Sequence, residues 1–343
     1  MKILFIGPHL PYHNNSYLQY IALKKEYKNV DFIAAYKSFI FPIISYKIFH
    51  HISPKIFSPF INNYILTRIK KKEYDLIYVG AGELINKKLI LELKNKAKKV
   101  VFFCNDNPFV SRDKNRWQLF LGAAKFYDVI AYHDKSRIKP SHKFGLRNSL
   151  LITPPYDKNK HCRQKLTKSE IAKYKNDVVF VGVWSRGKGI FLKKLMDLGL
   201  NFKIYGPRWE NDQNYESLKH LIKPGYVLAK TYSKIIQSAK IAICLFADEN
   251  LDTITTRSTE IPAIGTLMCS HRSDAMKKIL IENKEAIYFK DPKECYKKCQ
   301  YYLKNYKLAE KIAHSGHIKI TKILKVSNND FVKKIVNKAF NIK

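Results

Sequence analysis

Apolar runs of four to six residues recur along the chain, alternating with polar turns and stretches of helical spacing. In the first half they are Lys2–Gly7 (KILFIG), Val30–Ala35, Asp75–Gly80, Lys99–Cys104, Asp128–Tyr132 and Ser149–Thr153. In the second half they are Asp177–Gly182 (DVVFVG), Asn201–Tyr205, Ile241–Phe246, Thr266–Ser270 and Ala286–Phe289, with Lys223–Val227 leading to a short helix at Ser233–Ser238. Near-continuous apolar runs of this length suit strands buried on both faces. Their alternation with helical stretches, such as Ser16–Glu26, Asn86–Asn95 and Pro292–Lys304, predicts βαβ units and parallel sheets. The expected architecture is α/β, with two doubly wound, Rossmann-like domains: residues 1–155, a polar and Pro-rich linker at 156–176, then residues 177–325. A last helical segment, 326–343, is basic and half apolar, as suits a helix that returns to the first domain.

The richest stretch runs from Ala247 to Phe289. Behind the strand Ile241–Phe246 comes a polar loop, then a helix whose early turns carry Arg257 and Glu260, three residues apart and so on one helical face. Gly265 stops that helix. In a strand–loop–helix–strand unit, ligands bind in the crevice at the carboxyl ends of the strands. A helix N-terminus there offers free N–H groups and partial positive charge to a diphosphate. Arg257 adds a full charge, and Glu260 is an acceptor for the hydroxyls of a ribose. The stretch therefore predicts a nucleotide-diphosphate site.

Asp252 and Glu260, with seven residues between them and IPAIG following, resemble the acidic pair of retaining GT-B glycosyltransferases of group 1. The fuller pattern N-x-D-x-x-T-x-R-x-x-E-I-P-A-x-G, from Asn250 through Asp252, Thr255, Arg257 and Glu260 to Gly265, is similar to the CgeB-like (spore-maturation-type) branch. The resemblance implies a GT-B fold, two Rossmann-like domains facing a central cleft. It implies acceptor binding on the first domain and nucleotide-sugar binding on the second, with Glu260 on the donor ribose and Asp252 on the donor-sugar side. The chain departs from the broader group in having Asp first and no Gly-Phe-Gly between the acids.

Further candidates follow the strand ends. Gly182, Arg186, Lys188 and Gly189 resemble the turn with which group-1 enzymes clamp a donor diphosphate; two cations within three residues suit a leaving anion. Gly206 and Trp209 close the next strand, where the related family places the nucleotide base; Trp209 either stacks on that base or covers the domain edge. In the first half, Asp106 follows a strand in an Asn-Asp-Asn-Pro loop that is similar to the Asp-Asp-Pro of CgeB-like chains. Without a ligand the same residues read as an Asx turn. His9, His13 and His133 are acceptor-side candidates. No G-x-G-x-x-G follows the first strand, so a dinucleotide site there is not expected.

Charge changes the picture in one respect. The 343 residues carry 63 Lys and Arg against 28 Asp and Glu, for a net charge of +35, and only ten of the basic residues are Arg. Such a field attracts anions: nucleotide sugars, phospholipid-linked acceptors or acidic headgroups. Lysines scattered over the surface with no partner are the plainer reading. Ser38–Arg68, apolar and basic with three prolines, reads as a helical excursion packed on its domain, or else as an amphipathic element docking on an anionic membrane. The six cysteines show no Cys-x2-Cys pair, so neither a metal nor a disulfide framework is expected, and a cytoplasmic setting, peripheral on the membrane at most, follows. No cofactor is expected beyond the nucleotide-diphosphate sugar as donor substrate. No nucleic-acid-binding motif accompanies the lysines.

The sequence thus predicts a metal-independent, retaining glycosyltransferase that moves a sugar from a nucleotide-diphosphate donor to a glycan, lipid-linked or protein acceptor. The alternatives are a non-catalytic polysaccharide- or partner-binding module and a nucleotide-sugar epimerase. If the enzyme inverts instead, Asp106, His9 or His133 is the base.

Overall fold

A computed structural model describes residues 1–8, 15–38, 53–69, 73–227 and 229–342. The chain forms two compact units, Met1–Thr153 together with Asn328–Lys343, and Pro154–Ser327.

In the first unit, β1 (Lys2–Gly7), β2 (Asn29–Ala34), β3 (Tyr74–Val79), β4 (Ala97–Cys104), β5 (Val129–Tyr132) and β6 (Ser149–Leu151) form a parallel sheet. Its order is β2-β1-β3-β4-β5-β6. Side chains alternate between two buried faces, as the period of two requires. Leu4, Ile6, Ile77, Val79, Val100 and Phe102 line one core. Ile3, Phe5, Leu76, Tyr78, Val101 and Phe103 line the other, which the helix Asn328–Phe340 covers with Phe331, Val332, Ile335 and Val336. Phe331 meets Phe103 edge to face, ring centroids 4.8 Å apart.

In the second unit, β7 (Asn176–Val181), β8 (Lys203–Gly206), β9 (Ile222–Pro224), β10 (Ala239–Cys244), β11 (Leu267–His271) and β12 (Ile287–Phe289) are again parallel. The order β12-β11-β10-β7-β8-β9 is that of dinucleotide-binding sheets, and the chain reverses direction across the sheet between β7 and β10. β9 is a three-residue edge strand that the sequence did not single out; Pro224 and Gly225 end it, Gly225 with φ +100°.

The stretch expected as a linker has structure of its own and belongs to the second unit. Lys168–Tyr174 is a helix opened by a capping box between Thr167 and Glu170, and Tyr174 enters the second unit's core. Tyr156 pairs with Ser327 in an isolated bridge. Polar composition hid the Thr-x-x-Glu signal. Among the described residues no helix is long and apolar enough to cross a membrane. Of the segment Ser38–Arg68, residues 39–52 lie outside the described residues. Its helix Ser58–Ile69 buries Ile61, Ile65 and Ile69 against the first unit's core, and leaves Phe60 exposed.

The helix Arg186–Asp197 follows β7, and its first turn is packed by carboxylates. Buried Asp212 accepts the indole N–H of Trp184 at 2.7 Å and the backbone N–H of Asn214 at 2.7 Å. A Cβ on Gly189 would stand 1.5 Å from the same carboxylate, and one on Gly187 would stand 2.6 Å from Asp248 Oδ2. The partial positive charge of a helix N-terminus favours both acids. Gly189 is therefore required by packing, while the contact at Gly187 is with the far end of an exposed side chain. Replacing Gly189→Ala should displace Asp212 from both donors and destabilise the second unit by about 1–3 kcal/mol. Gly187→Ala should cost less, since Asp248 is exposed and free to swing away. Urea unfolding of the two variants checks this; a Gly189→Ala protein as stable as the parent contradicts it.

Candidate functional site

The side chains that matter converge where β7 and β10 end side by side, with Phe180 opposite Ile243 in register. Arg257 opens the helix Arg257–Ile264, and its Nε–H donates to the carbonyl of Val181, the last residue of β7, at 2.7 Å. Lys188, one residue beyond Gly187, turns back so that its ammonium donates to Val183 O at 3.3 Å. Burial and the neighbouring Arg257 charge lower the Lys188 ammonium to about 8, while Glu249 and Asp252 oppose that shift. Two cations and two carboxylates thus surround one point at the strand ends. Asn250 is buried and donates its amide to Asp252 Oδ1, which fixes that carboxylate at the head of the loop.

One turn along the same helix, Glu260 is buried. His161 Nε2 lies 3.9 Å from Glu260 Oε1. Because His161 Nδ1 accepts the backbone N–H of Asp157 at 3.1 Å, the ring proton resides on Nε2, facing the carboxylate. Tyr232 packs edge-on against His161, and burial beside Glu260 pushes its phenol well above the usual range. Neither His161, which falls in the expected linker, nor Tyr232 stands out in the sequence. Both are single polar residues in otherwise unremarked stretches, and no spacing links them to Glu260.

The other second-unit candidates divide. Arg186 is exposed at the first position of its helix, so Lys188 is the cation of that turn that is drawn in beside Arg257. Thr255 sits in the loop before the helix, its hydroxyl 3.8 Å from the Cys244 sulfur. Gly182 donates its N–H to Tyr205 O at 2.8 Å, and a Cβ on it would approach Phe180 at 2.8 Å and Arg257 Nη2 at 3.5 Å. Gly206 adopts φ +146°, and a Cβ there would lie 2.1 Å from Gly182 O. Trp209 is not available to stack on a base. Its indole is 1% exposed, donates to Gly182 O at 3.0 Å and packs edge-on against Phe180. Gly182, Gly206 and Trp209 tie the ends of β7 and β8 together. Trp209 therefore has a core role.

His271, at the end of β11, is a further residue the sequence did not single out. Its ring lies among Phe191, Phe246 and Phe289, and its Nδ1 accepts the Phe246 N–H at 3.1 Å. Burial lowers its pKa, and the nearby Asp248 charge opposes the shift.

In the first unit, Asp106 lies on the wall of a cavity at the ends of β1, β3 and β4, its carboxylate bound to Arg116 at 2.9 Å and Arg112 at 3.2 Å. His133 is a correction: it is buried against Phe103 and Arg137, and burial with the Arg137 charge drives it well below the ordinary range. A ring shut into the core and held neutral contacts no acceptor. His9 and His13 lie outside the described residues. Among the described residues, the group of side chains able to hold a metal ion is Cys269, Cys295 and Cys299, with sulfurs within 4.8 Å of one another. These are free, buried thiols in mid-strand and on the helix Pro292–Lys304, and burial pushes the Cys269 thiol well up. The sequence pairs Cys295 with Cys299; β11 brings the third.

Residues 187–326, which hold Lys188, Asp252, Arg257 and Glu260, match a family model described as glycosyl transferase-like. No curated protein matches the chain by sequence. Among solved structures, sucrose-phosphate synthase from Thermosynechococcus elongatus is similar in fold, with TM-score 0.72, 12% identity and all of both chains covered. Anabaena HepE in complex with UDP-glucose matches with TM-score 0.70 and 12% identity over 99% of this chain and 100% of that one. A UDP-forming trehalose-phosphate synthase from Burkholderia xenovorans matches with TM-score 0.66 and 11% identity over 100% of this chain and 99% of that one. The fold is that of the GT-B glycosyltransferases, with two six-stranded parallel units.

Proposed function

We propose that the chain is a glycosyltransferase of the CgeB-like branch that takes a nucleotide-diphosphate sugar in its second unit and transfers the sugar, with retention and without a metal, to a hydroxyl acceptor. The observation that carries this reading is the pairing of Lys188 with Arg257 at the β7–β10 strand ends, one helical turn from Glu260. The names of the structural neighbours support the donor class, since HepE is seen with UDP-glucose.

In the reaction the bond from the sugar's anomeric carbon to the diphosphate oxygen breaks, and a bond from that carbon to the acceptor oxygen forms. Negative charge grows on the leaving diphosphate. Lys188, Arg257 and the N–H groups of the Arg186 helix stabilise that charge in a partly desolvated place, where preorganised dipoles and cations count most. Glu260, buried with His161 Nε2 3.9 Å away, accepts from the ribose hydroxyls. Asp252, oriented by Asn250, faces the sugar. The acceptor proton passes to the departing phosphate oxygen, so no separate strong base is needed.

UDP, GDP, CDP and dTDP should be compared by thermal shift. One of them should raise the melting temperature of the parent protein and leave Glu260→Ala unmoved. Indifference of the parent to all four would instead indicate a non-catalytic module. The pH dependence has a defined sign. Lys188 in the free protein is protonated below about 8 and loses its charge above it, whereas a bound diphosphate holds the proton on. Diphosphate affinity should therefore fall as pH rises from 7 through 9, with log Kd rising by up to about one per pH unit above 8. Lys188→Arg should flatten that profile, and an unchanged slope in this variant would assign the titration elsewhere. The product anomer, read by proton NMR, should match the donor's; an inverted product removes retention and leaves the donor site standing.

A further inference from the structure

The first unit has a cavity of about 380 Å3 in the same topological position as the second unit's site. It is lined by Pro8 after β1, Gly80 after β3, Asn105 and Asp106 after β4, and Ser16 and Gln19 on the helix that follows β1. The sheet order reverses between β1 and β3, so this is the crevice where such a sheet takes a ligand. The volume is at the lower end of the ~300–1,000 Å3 of small-molecule sites.

The chemistry of the wall selects among ligands. Gln19 is 1% exposed, its Oε1 accepts the Tyr78 hydroxyl at 2.8 Å, and its Nε2 has no hydrogen-bond partner. Asn105 Oδ1, also buried, has none either. One orphaned donor and one orphaned acceptor in one cavity are costly unless a ligand supplies both an acceptor and a donor. A sugar hydroxyl does both, while an ionised phosphate or carboxylate only accepts.

Charge points the same way. Among the lining residues the guanidinium is Arg116, and it is already engaged by Asp106 at 2.9 Å, Asp113 at 3.3 Å and Glu83 at 3.6 Å. Arg112 is likewise held by Asp113 and Asp106. Glu83 is buried and accepts the Tyr36 hydroxyl. Three carboxylates against two guanidinium groups leave this network one charge negative, within a chain of net charge +35. No lysine lines the cavity among the described residues. An anionic group entering here would find its counter-ions already taken. Phe102, Phe103 and Trp117 complete the wall with apolar surface suited to the C–H faces of a pyranose ring.

We infer that this cavity binds an uncharged, hydroxyl-rich sugar ring and excludes phosphorylated or uronic sugars. On the transferase reading above, that ring is the accepting end of a neutral glycan, and the positive field of the chain plays no part in holding it.

The test uses the full chain without nucleotide. Methyl glucoside, methyl galactoside, methyl mannoside and methyl N-acetylglucosaminide are compared with glucose 6-phosphate and methyl glucuronide by saturation-transfer NMR. At least one neutral glycoside should give a saturable signal, and neither anionic sugar should compete with it. Gln19→Glu keeps the acceptor for Tyr78 but removes the N–H donors, and should weaken that glycoside about tenfold. Asn105→Leu should do likewise from the acceptor side. The thermal shift with nucleotide diphosphate should be unchanged in both variants. The inference is overturned if the anionic sugars bind as well as the neutral ones, if both variants bind like the parent, or if no neutral glycoside binds. In that last case a retained diphosphate shift leaves the donor reading intact. Glycoside binding with no diphosphate shift would overturn the donor reading and leave this one.

Discussion

The Arg257 guanidinium, fixed by the last carbonyl of β7, is the contact on which the second unit's site depends. It joins the helix behind β10 to the neighbouring strand across the point where the sheet changes direction. A backbone carbonyl at a parallel strand's end has no further strand N–H to donate to it. Leaving it unpaired in a part-buried crevice would carry a desolvation cost of about 1–3 kcal/mol. Arg257 satisfies it with Nε, and its Nη2 lies beside Gly182, 3.5 Å from where a Cβ would stand. Lys188 is drawn to the same place, where burial first and the Arg257 charge second lower its ammonium to about 8, against the opposing pull of Glu249 and Asp252. Burial of an ammonium beside a guanidinium is unfavourable in itself, and the two nearby carboxylates offset part of that cost.

Glycine at 187 and 189 belongs to the same construction. With Asp212 seated on the first turn of the Arg186 helix, the turn cannot carry a side chain at Gly189, and Trp184 and Asn214 are fixed through the same carboxylate; at Gly187 the neighbour is the exposed Asp248. Phosphate-binding turns are often explained by close approach of the ligand to glycine. Here the protein's own carboxylates make the close approach.

The strands were legible in the sequence because parallel strands covered on both faces leave uninterrupted apolar runs, and KILFIG and DVVFVG are such runs. That Arg257 and Glu260 lie on one helix, three residues apart, was legible because spacing encodes such a local relation. What escaped was whatever depends on contacts far apart in sequence. By sequence Trp209 either stacks on a base or covers the domain edge, and only its contacts with Gly182 and Phe180 place it in the core. His133 looks like a loop base, yet the chain turns it under Arg137. His161 meets Glu260 from 99 residues away, and Cys269 meets Cys295 from 26, at a sulfur separation of 3.9 Å. No periodicity reports such pairings. Residues 154–176 show a different failure: composition outweighed a four-residue capping signal that was present.

A net charge of +35 says little about what either crevice binds, because local pairing decides how much of the field a ligand meets. In the second unit, Lys188 and Arg257 donate to backbone carbonyls, with the carboxylates of Glu249 and Asp252 close enough to act on Lys188. In the first unit, Arg112 and Arg116 are spent on Asp106, Asp113 and Glu83. Each unit places its crevice where its sheet reverses, the place such a sheet offers to a ligand. On the two proposals above, the choice of ligand follows from how four cations are held: donation to backbone carbonyls suits a diphosphate, and direct pairing with carboxylates suits a neutral ring.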